Sequence, residues 1–221
     1  TAVGEFHYLH HAPGGSRYDD VAEMSGRIAA AAETAGIGLT LLPVFYAHGG
    51  FGGQPAGTVQ ARFLNNVASF AELVARAGAK LAPDGVIGIT PHSLRAVTPE
   101  ELRELLPVAN GGPVHIHIAE QVKEVADCIA WSGKRPVRWL LDEAPVDARW
   151  TLVHATHVEA DEVAGIAASG AVAGLCPITE ANLGDGVFPA GEFMALGGMI
   201  GVGSDSNVRI DAAEELRLLE Y

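Results

Sequence analysis

Cysteine and positive charge are both scarce in this 221-residue chain. The only two cysteines, Cys128 and Cys176, are too few for a disulfide framework, so we expect a reducing compartment, namely the cytoplasm. Lysine and arginine number 14 against 27 acidic residues, and the net charge of -13 disfavours nucleic acids and anionic membranes as partners. The sequence also lacks an apolar run of 18 residues and a basic segment followed by an apolar one. It therefore predicts neither a membrane span nor a signal peptide.

The glycine-rich segment 48–57 lacks the lysine and serine of a phosphate-binding loop. Nucleotide binding at this segment is therefore excluded, and the sequence assigns it no other role. Hydrophobic residues make up 48% of the chain, which is enough for a large buried core. A small molecule is the remaining class of ligand that we expect.

Short apolar stretches alternate with amphipathic ones along the whole chain. Seven strands are predicted, at 4–9, 37–46, 85–90, 113–119, 150–155, 171–175 and 199–203. Helices are predicted at 19–35, 58–78, 98–110, 121–132, 136–141, 159–168, 191–196 and 212–221. Strict alternation of this kind predicts an α/β fold in which helices cover a parallel sheet.

Two architectures satisfy this alternation, an open doubly wound sheet and a (β/α)8 TIM-type barrel. Polar residues follow several different strands, whereas an open sheet concentrates its site at one switch point. These residues are His7, His92, His117, Glu120, His154 and Asp205. We therefore predict that residues 1–221 form one incomplete barrel domain with strands two to eight.

The stretch Val114–Glu120 carries the first candidate site. Alternation places His117 on the face opposite Ile116 and Ile118, and Glu120 follows where the strand should end. An imidazole at a strand end, with a carboxylate three residues later, is suited to bind a metal and to transfer protons. A half-buried strand with polar residues facing water explains this stretch equally well by itself.

Two further strand ends decide between these interpretations. His117, His154 and Asp205 offer the donor types that zinc or a similar divalent ion prefers, and Glu120 could exchange protons with bound water. Asp205 could also accept a proton, while His154 could bind the metal or stabilise developing charge. Four such residues at the same face favour a catalytic metal site.

These residues resemble the deaminase branch of the amidohydrolase superfamily. The resemblance rests on His-x-x-Glu at 117–120, Val-His-Ala at 153–155 and Gly-Ser-Asp-Ser at 203–206. Three further segments, 6–10, 91–95 and 176–186, resemble the formimidoylglutamate deiminases within that branch. The resemblance extends over nearly the whole chain.

The resemblance implies hydrolysis of N-formimino-L-glutamate to N-formyl-L-glutamate and ammonia, a step of histidine degradation. It implies that zinc is bound by His117 and Asp205, that Glu120 and Asp205 transfer protons, and that His154 stabilises the adduct. It further implies that Arg95 and His92 hold a carboxylate of the substrate and that Tyr8 contributes a hydroxyl to substrate binding. A fixed guanidinium is the natural bidentate partner of a carboxylate.

The chain departs from the superfamily pattern in one respect. A His-x-His pair on the first strand supplies two metal ligands in the superfamily, and here His115 and His117 have this spacing only in the fifth-strand context. We therefore expect a fragment that lacks the first strand and an N-terminal β-sandwich segment, that binds zinc weakly or not at all, and that is inactive alone. An exposed sheet edge would favour association, for example as a homodimer.

Two other functions compete with this one. A related deaminase could act on a heterocyclic or guanidine substrate, but a neutral heterocycle would leave Arg95 without a partner. A non-catalytic barrel scaffold would have no use for Glu120, His154 and Asp205 together. Neither Glu180 nor Asn182 receives a role from the sequence.

Overall fold

The structure is a computed structural model that describes residues 1–220. The chain divides into two compact units, one covering Thr1–His115 and the other beginning at Ile116. Each unit contains a four-stranded sheet with helices between the strands, and the β1–β2, β2–β3, β2–β4, β6–β7 and β7–β8 pairs are parallel. The predicted α/β class with parallel sheets is therefore confirmed.

The first unit alternates strands and helices as expected. Its strands are β1 (Ala2–His7), β2 (Gly38–Phe45), β3 (Val86–Ile87) and β4 (Thr90–Pro91), and its helices are α1 (Glu23–Ala35), α2 (Val67–Gly78) and α3 (Pro99–Leu105). Short 3-10 helices cover Thr58–Gln60 and Leu106–Ala109. The sheet order is β1-β2-β3, and β4 also pairs with β2.

The second sheet has the order β5-β6-β7-β8. Its strands are β5 (Val114–Ile118), β6 (Trp150–His154), β7 (Val172–Leu175) and β8 (Met199–Val202). The helices are α4 (Val122–Ser132), α5 (Pro136–Glu143), α6 (Ala160–Ser169), α7 (Pro177–Leu183), α8 (Ala190–Ala195) and α9 (Ala212–Glu220). None of the helices within residues 1–220 is both long and apolar enough to cross a membrane.

The sequence of β2 is one continuous apolar run because both faces of the strand are buried. All five residues from Leu41 to Phe45 are buried, so both faces of the strand are covered, as the sequence predicted. In β5, Ile116 and Ile118 are fully buried and His117 is 8% exposed. The histidine that carries the candidate site is therefore fixed within a packed strand.

The start of α3 forms as predicted from its capping pattern. The Thr98 side chain accepts the backbone N–H of Glu101, and the Glu101 carboxylate accepts the backbone N–H of Thr98 at 2.8 Å. Pro99 occupies the first turn, where its missing N–H costs nothing. Local sequence is sufficient here because all partners lie within four residues.

The predicted helix 58–78 is wrong in its first half. Only Thr58–Gln60 is helical, as a 3-10 turn, and α2 begins after Asn66, whose side chain accepts the backbone N–H of Ser69 at 2.9 Å. The intervening segment is held by tertiary contacts, since Gln60 donates to the Tyr46 hydroxyl at 2.7 Å. Because of these tertiary contacts, the α-helix does not begin at Thr58, although Thr58 could have capped it.

Two further elements and one boundary differ from the prediction. The predicted strand 85–90 is interrupted between β3 and β4. Near this break Pro43 of the neighbouring strand has no N–H to donate, and the N–H of Ile89 donates to the Pro113 carbonyl, outside the pairing with β2. The helix α7 was not predicted, although Pro177 at its first turn is a start signal. Helix α1 begins at Glu23, four residues later than expected.

Candidate metal centre and active site

Four neighbouring strands of the second unit place polar residues at their carboxyl ends. His117 is the penultimate residue of β5, His154 ends β6, Cys176 follows β7, and Asp205 follows β8. Because the strands of a parallel sheet end at the same edge, these residues are brought together although up to 88 positions separate them in sequence.

The structure groups His117, His154 and Asp205 as candidate metal ligands. One nitrogen or oxygen atom from each residue lies within 4.8 Å of the other two. The two imidazole rings have centroids 5.6 Å apart, and both histidines are buried whereas Asp205 is exposed. Two imidazoles and one carboxylate form a donor set suited to a zinc ion with an open coordination position, so these residues fit the metal that the sequence implied.

Glu120 lies beside this group. One oxygen of its carboxylate is 3.7 Å from Nε2 of His154, and its side chain is 16% exposed. The backbone N–H of Glu120 is held by the Glu124 side chain at 3.1 Å, so the turn that presents Glu120 is anchored. A carboxylate near the candidate ligands and still accessible to water is suited to carry protons.

Left-handed backbone conformations mark the ends of these strands. Ala119, His154, Ala155 and Asp205 have φ values of 50°, 66°, 47° and 44°. Such conformations cost energy in residues other than glycine and persist where the surrounding structure enforces them. Here they turn the chain where β5 and β6 end and after β8, where the candidate site residues lie.

Carboxylates surround His154 and control its protonation. Burial of the ring disfavours its charged form, but the hydrogen bond with Glu180 and the charges of Glu120, Asp205 and Glu180 outweigh burial, so the pKa of His154 is raised. The Nδ1 atom of His154 lies 3.1 Å from Oε1 of Glu180. The other ring nitrogen, Nε2, faces Glu120.

Glu180 is the functional candidate to which the sequence assigned no role. It is 5% exposed and its Oε1 accepts the backbone N–H of Cys176 at 2.9 Å in addition to contacting His154. Its carboxylate, His154 and Cys176 form a second group whose ligand atoms lie within 4.8 Å of one another. The signal that could have identified Glu180 is the proline-initiated helix after β7, which places this carboxylate one turn past a strand end.

The two thiols are not arranged for nucleophilic attack. Burial is the main cause that raises the pKa of Cys128, to about 11. Burial also raises the pKa of Cys176, and the charges of nearby carboxylates add to this effect. A thiol that stays protonated is a poor nucleophile. Cys128 lies in the buried face of α4, as expected for a core residue.

The three predicted substrate contacts belong to the first unit. The Tyr8 ring packs edge-on against Phe63, with centroids 4.5 Å apart, and lies 6.1 Å from the His92 ring. Arg95 is partly buried, and within residues 1–220 its Nε has no hydrogen-bond partner and its guanidinium forms no ion pair. An arginine without an internal counter-charge is available to bind an anion.

Comparison with known proteins assigns a family to this arrangement. The model of the amidohydrolase family matches residues 7–220. The chain is 58% identical to the formimidoylglutamate deiminase of Pseudomonas aeruginosa over 223 aligned residues, which cover all of this chain and 49% of that protein. It is 30% identical to a 5-methylthioadenosine/S-adenosylhomocysteine deaminase of Natronomonas pharaonis, over 92% of this chain and 46% of the relative.

Solved structures agree with the sequence comparison. The crystal structure of an amidohydrolase from Brucella melitensis superposes with a TM-score of 0.96 at 60% identity, over 98% of this chain and 49% of that one. An adenosine deaminase from Xanthomonas campestris with bound zinc shares the fold, with a TM-score of 0.73 at 22% identity over 92% of this chain and 45% of that one. The chain thus spans about half the length of these relatives. The chain belongs to the amidohydrolase family.

Proposed function

We propose that this chain carries the metal-binding and proton-transfer residues of a zinc-dependent formimidoylglutamate deiminase. The reaction is hydrolysis of N-formimino-L-glutamate to N-formyl-L-glutamate and ammonia. The observation that carries the proposal is the grouping of His117, His154 and Asp205 within 4.8 Å, with Glu120 beside it, in a chain 58% identical to such an enzyme.

In this proposal His117 and Asp205 would hold the ion. His154 would lie next to it, since its ring nitrogen is within 4.8 Å of the ligand atoms of both residues. Zinc, when bound, supplies a hydroxide nucleophile at neutral pH. The metal is part of the proposal because the formimino carbon is a poor electrophile, so unactivated water attacks it slowly. The imidazole of His117 and the carboxylate of Asp205 are donor types that zinc prefers.

Residues of the protein transfer the protons and stabilise the developing charge. Water attacks the formimino carbon, and Asp205 takes the first proton. Glu120 carries a proton to the departing nitrogen, which leaves as ammonia, and His154 stabilises the negative charge that develops on the oxygen. Overall, one water is consumed and the C=N bond is replaced by C=O, with one ammonia released.

Arg95 is the proposed anchor of a substrate carboxylate, with His92 and Tyr8 as further contacts. The support is that the guanidinium has no ion pair within residues 1–220 and that its buried Nε has no hydrogen-bond partner there, since a partly buried cation gains when a ligand supplies a counter-charge. This feature favours an acidic substrate over a heterocycle. In the same proposal residues 1–221 contribute strands two to eight of an incomplete barrel, and the protein is a cytoplasmic enzyme that forms a homodimer.

Ammonia release tests the proposed function. The assay uses the 221-residue chain alone and the chain completed with the remaining segments of the Pseudomonas aeruginosa relative, each with zinc. We expect turnover of N-formimino-L-glutamate by the completed protein, none by the chain alone, and none by the completed Glu120→Gln variant. The exposed Asp161→Asn variant is the matched control and should retain activity.

Two outcomes of this assay would refute the assignment. Ammonia release from guanine or adenosine but not from N-formimino-L-glutamate would place the substrate in the heterocycle class. Full activity of the Glu120→Gln variant would remove Glu120 from the proton-transfer path.

A further inference from the structure

Glu180 contacts the candidate site through a single, well-defined hydrogen bond. Its carboxylate is 5% exposed, and Oε1 lies 3.1 Å from Nδ1 of His154, which is itself 1% exposed. An ionised carboxylate can only accept hydrogen bonds, so Nδ1 is the donor in this pair. Two buried polar groups that satisfy each other in this way hold one ring orientation.

The carboxylate is itself fixed in position. The same Oε1 accepts the backbone N–H of Cys176 at 2.9 Å, and the backbone N–H of Glu180 donates to the Cys176 carbonyl at 2.9 Å. Glu180 is therefore tied to the first turn of α7 by both its side chain and its backbone. A carboxylate restrained in this way cannot follow a rotation of the imidazole ring.

We propose that Glu180 is a positioning residue that holds His154 as the Nδ1–H tautomer, so that Nε2 is the only ring nitrogen free to act in the site. This inference rests on the proposed function for its meaning in catalysis, but the tautomer itself is a property of the chain. Nε2 faces Glu120 at 3.7 Å. A free histidine side chain prefers the opposite tautomer, so the hydrogen bond has a measurable consequence.

The tautomer determines what His154 can do. With the proton fixed on Nδ1, Nε2 of the neutral ring presents a lone pair to a metal ion or to a proton from the reacting groups. Once Nε2 has taken a proton, it can donate that proton in a hydrogen bond to the developing oxygen charge. With Nδ1 unprotonated, Nε2 would already carry a hydrogen and could not accept either. Glu180 thus acts on the reaction only through His154.

Nitrogen-15 NMR of the imidazole rings tests the proposal without any need for turnover. The 221-residue chain without added metal is measured at a pH at which His154 is neutral, and its signals are assigned by their absence in His154→Asn. We expect a pyrrole-type Nδ1 and a pyridine-type Nε2 for His154. In Glu180→Leu we expect the ring to revert to the Nε2–H form.

Matched variants separate positioning from folding. Glu180→Gln keeps an oxygen that can accept from both Nδ1 and the Cys176 N–H, so it should retain the Nδ1–H tautomer. Glu192→Leu removes an exposed glutamate of the same unit and should leave the His154 signals unchanged. In the completed enzyme, Glu180→Leu should lower kcat by about 10- to 100-fold with little change in KM, as for other groups that orient a site histidine.

The possible outcomes are distinguishable from failure of the proposed function. An Nε2–H tautomer in the unmodified chain would overturn the proposal, and this measurement does not require the Glu180→Leu variant to fold. An unchanged Nδ1–H tautomer in folded Glu180→Leu would overturn it as well. An Nδ1–H tautomer in the unmodified chain, lost in Glu180→Leu, would support it even if the completed protein released no ammonia.

Discussion

The buried carboxylate of Glu124 accepts the backbone N–H of Glu120, at 3.1 Å. Its other oxygen accepts the backbone N–H of Ala119 at 3.2 Å, so one side chain satisfies two successive donors where β5 ends. Glu124 lies in the first turn of α4 and is 3% exposed. The helix therefore fixes the turn from which the proposed proton carrier projects.

Removing this carboxylate should destabilise the second unit. Glu124→Ala removes the acceptor of the N–H groups of buried Ala119 and partly buried Glu120, and a buried unsatisfied group costs about 1–3 kcal/mol. We expect the free energy of unfolding, measured by urea titration, to fall by about 2–4 kcal/mol, the two costs being partly relieved by relaxation. Glu192→Ala removes an exposed glutamate and should change it by less than about 0.5 kcal/mol; equal effects of the two variants would contradict this.

Zinc binding should depend on the residues of the candidate centre. We expect the 221-residue chain to bind zinc weakly, and Asp205→Asn or His117→Ala to reduce that affinity by a further factor of about ten or more, because each removes a proposed ligand. Isothermal titration calorimetry measures this, with Asp161→Asn as the control for loss of a surface carboxylate. Equal zinc affinity in Asp205→Asn and Asp161→Asn would place the metal elsewhere.

Replacement of Arg95 tests the class of substrate. In the completed enzyme, Arg95→Met removes the proposed partner of a substrate carboxylate and should raise KM for N-formimino-L-glutamate by about 100-fold, which corresponds to about 2.7 kcal/mol. Steady-state kinetics measure this, and Arg103→Met at an exposed position of α3 is the control. A KM close to that of the unmodified enzyme would reject the acidic substrate.

Acid should unfold the first unit through two buried histidines. Burial lowers the pKa of His7 to about 3 and of His10 to about 4, from an ordinary value of 6.5. The unfolded chain therefore takes up protons below pH 6.5 that the folded chain does not, and stability falls as the pH drops from 6.5 towards 4. Each proton contributes a slope of about 1.4 kcal/mol per pH unit.

The variant His10→Gln should reduce this slope. Glutamine can still donate to the Val44 carbonyl, which accepts from Nε2 of His10 at 2.8 Å, but it does not titrate. Urea titrations at pH 7, 6, 5 and 4 compare the two proteins. Parallel stability curves over this range would show that His10 does not contribute to acid sensitivity.

Several features could be predicted because their causes are local in sequence. The cap formed by Thr98 and Glu101 needs partners within four residues, and the apolar run of β2 reports burial on both faces. The strand-end positions of His117, His154 and Asp205 follow from the same patterns, since a polar residue after an apolar stretch marks where a strand emerges. The helix expected from Thr58 fails because the Tyr46 hydroxyl, distant in sequence, binds Gln60.

The α/β class, most strand ends and the residue types that could bind a metal follow from local sequence patterns. Which of these residues lie close together depends on the folded chain, since the 4.8 Å group joins residues at the ends of three strands. The folded chain also assigned partners to Glu124, which the sequence placed in a predicted helix, and to Glu180, to which the sequence assigned no role. The physical reason is that periodicity and capping act over a few residues, whereas a buried carboxylate is placed by whichever donors the folded chain brings to it.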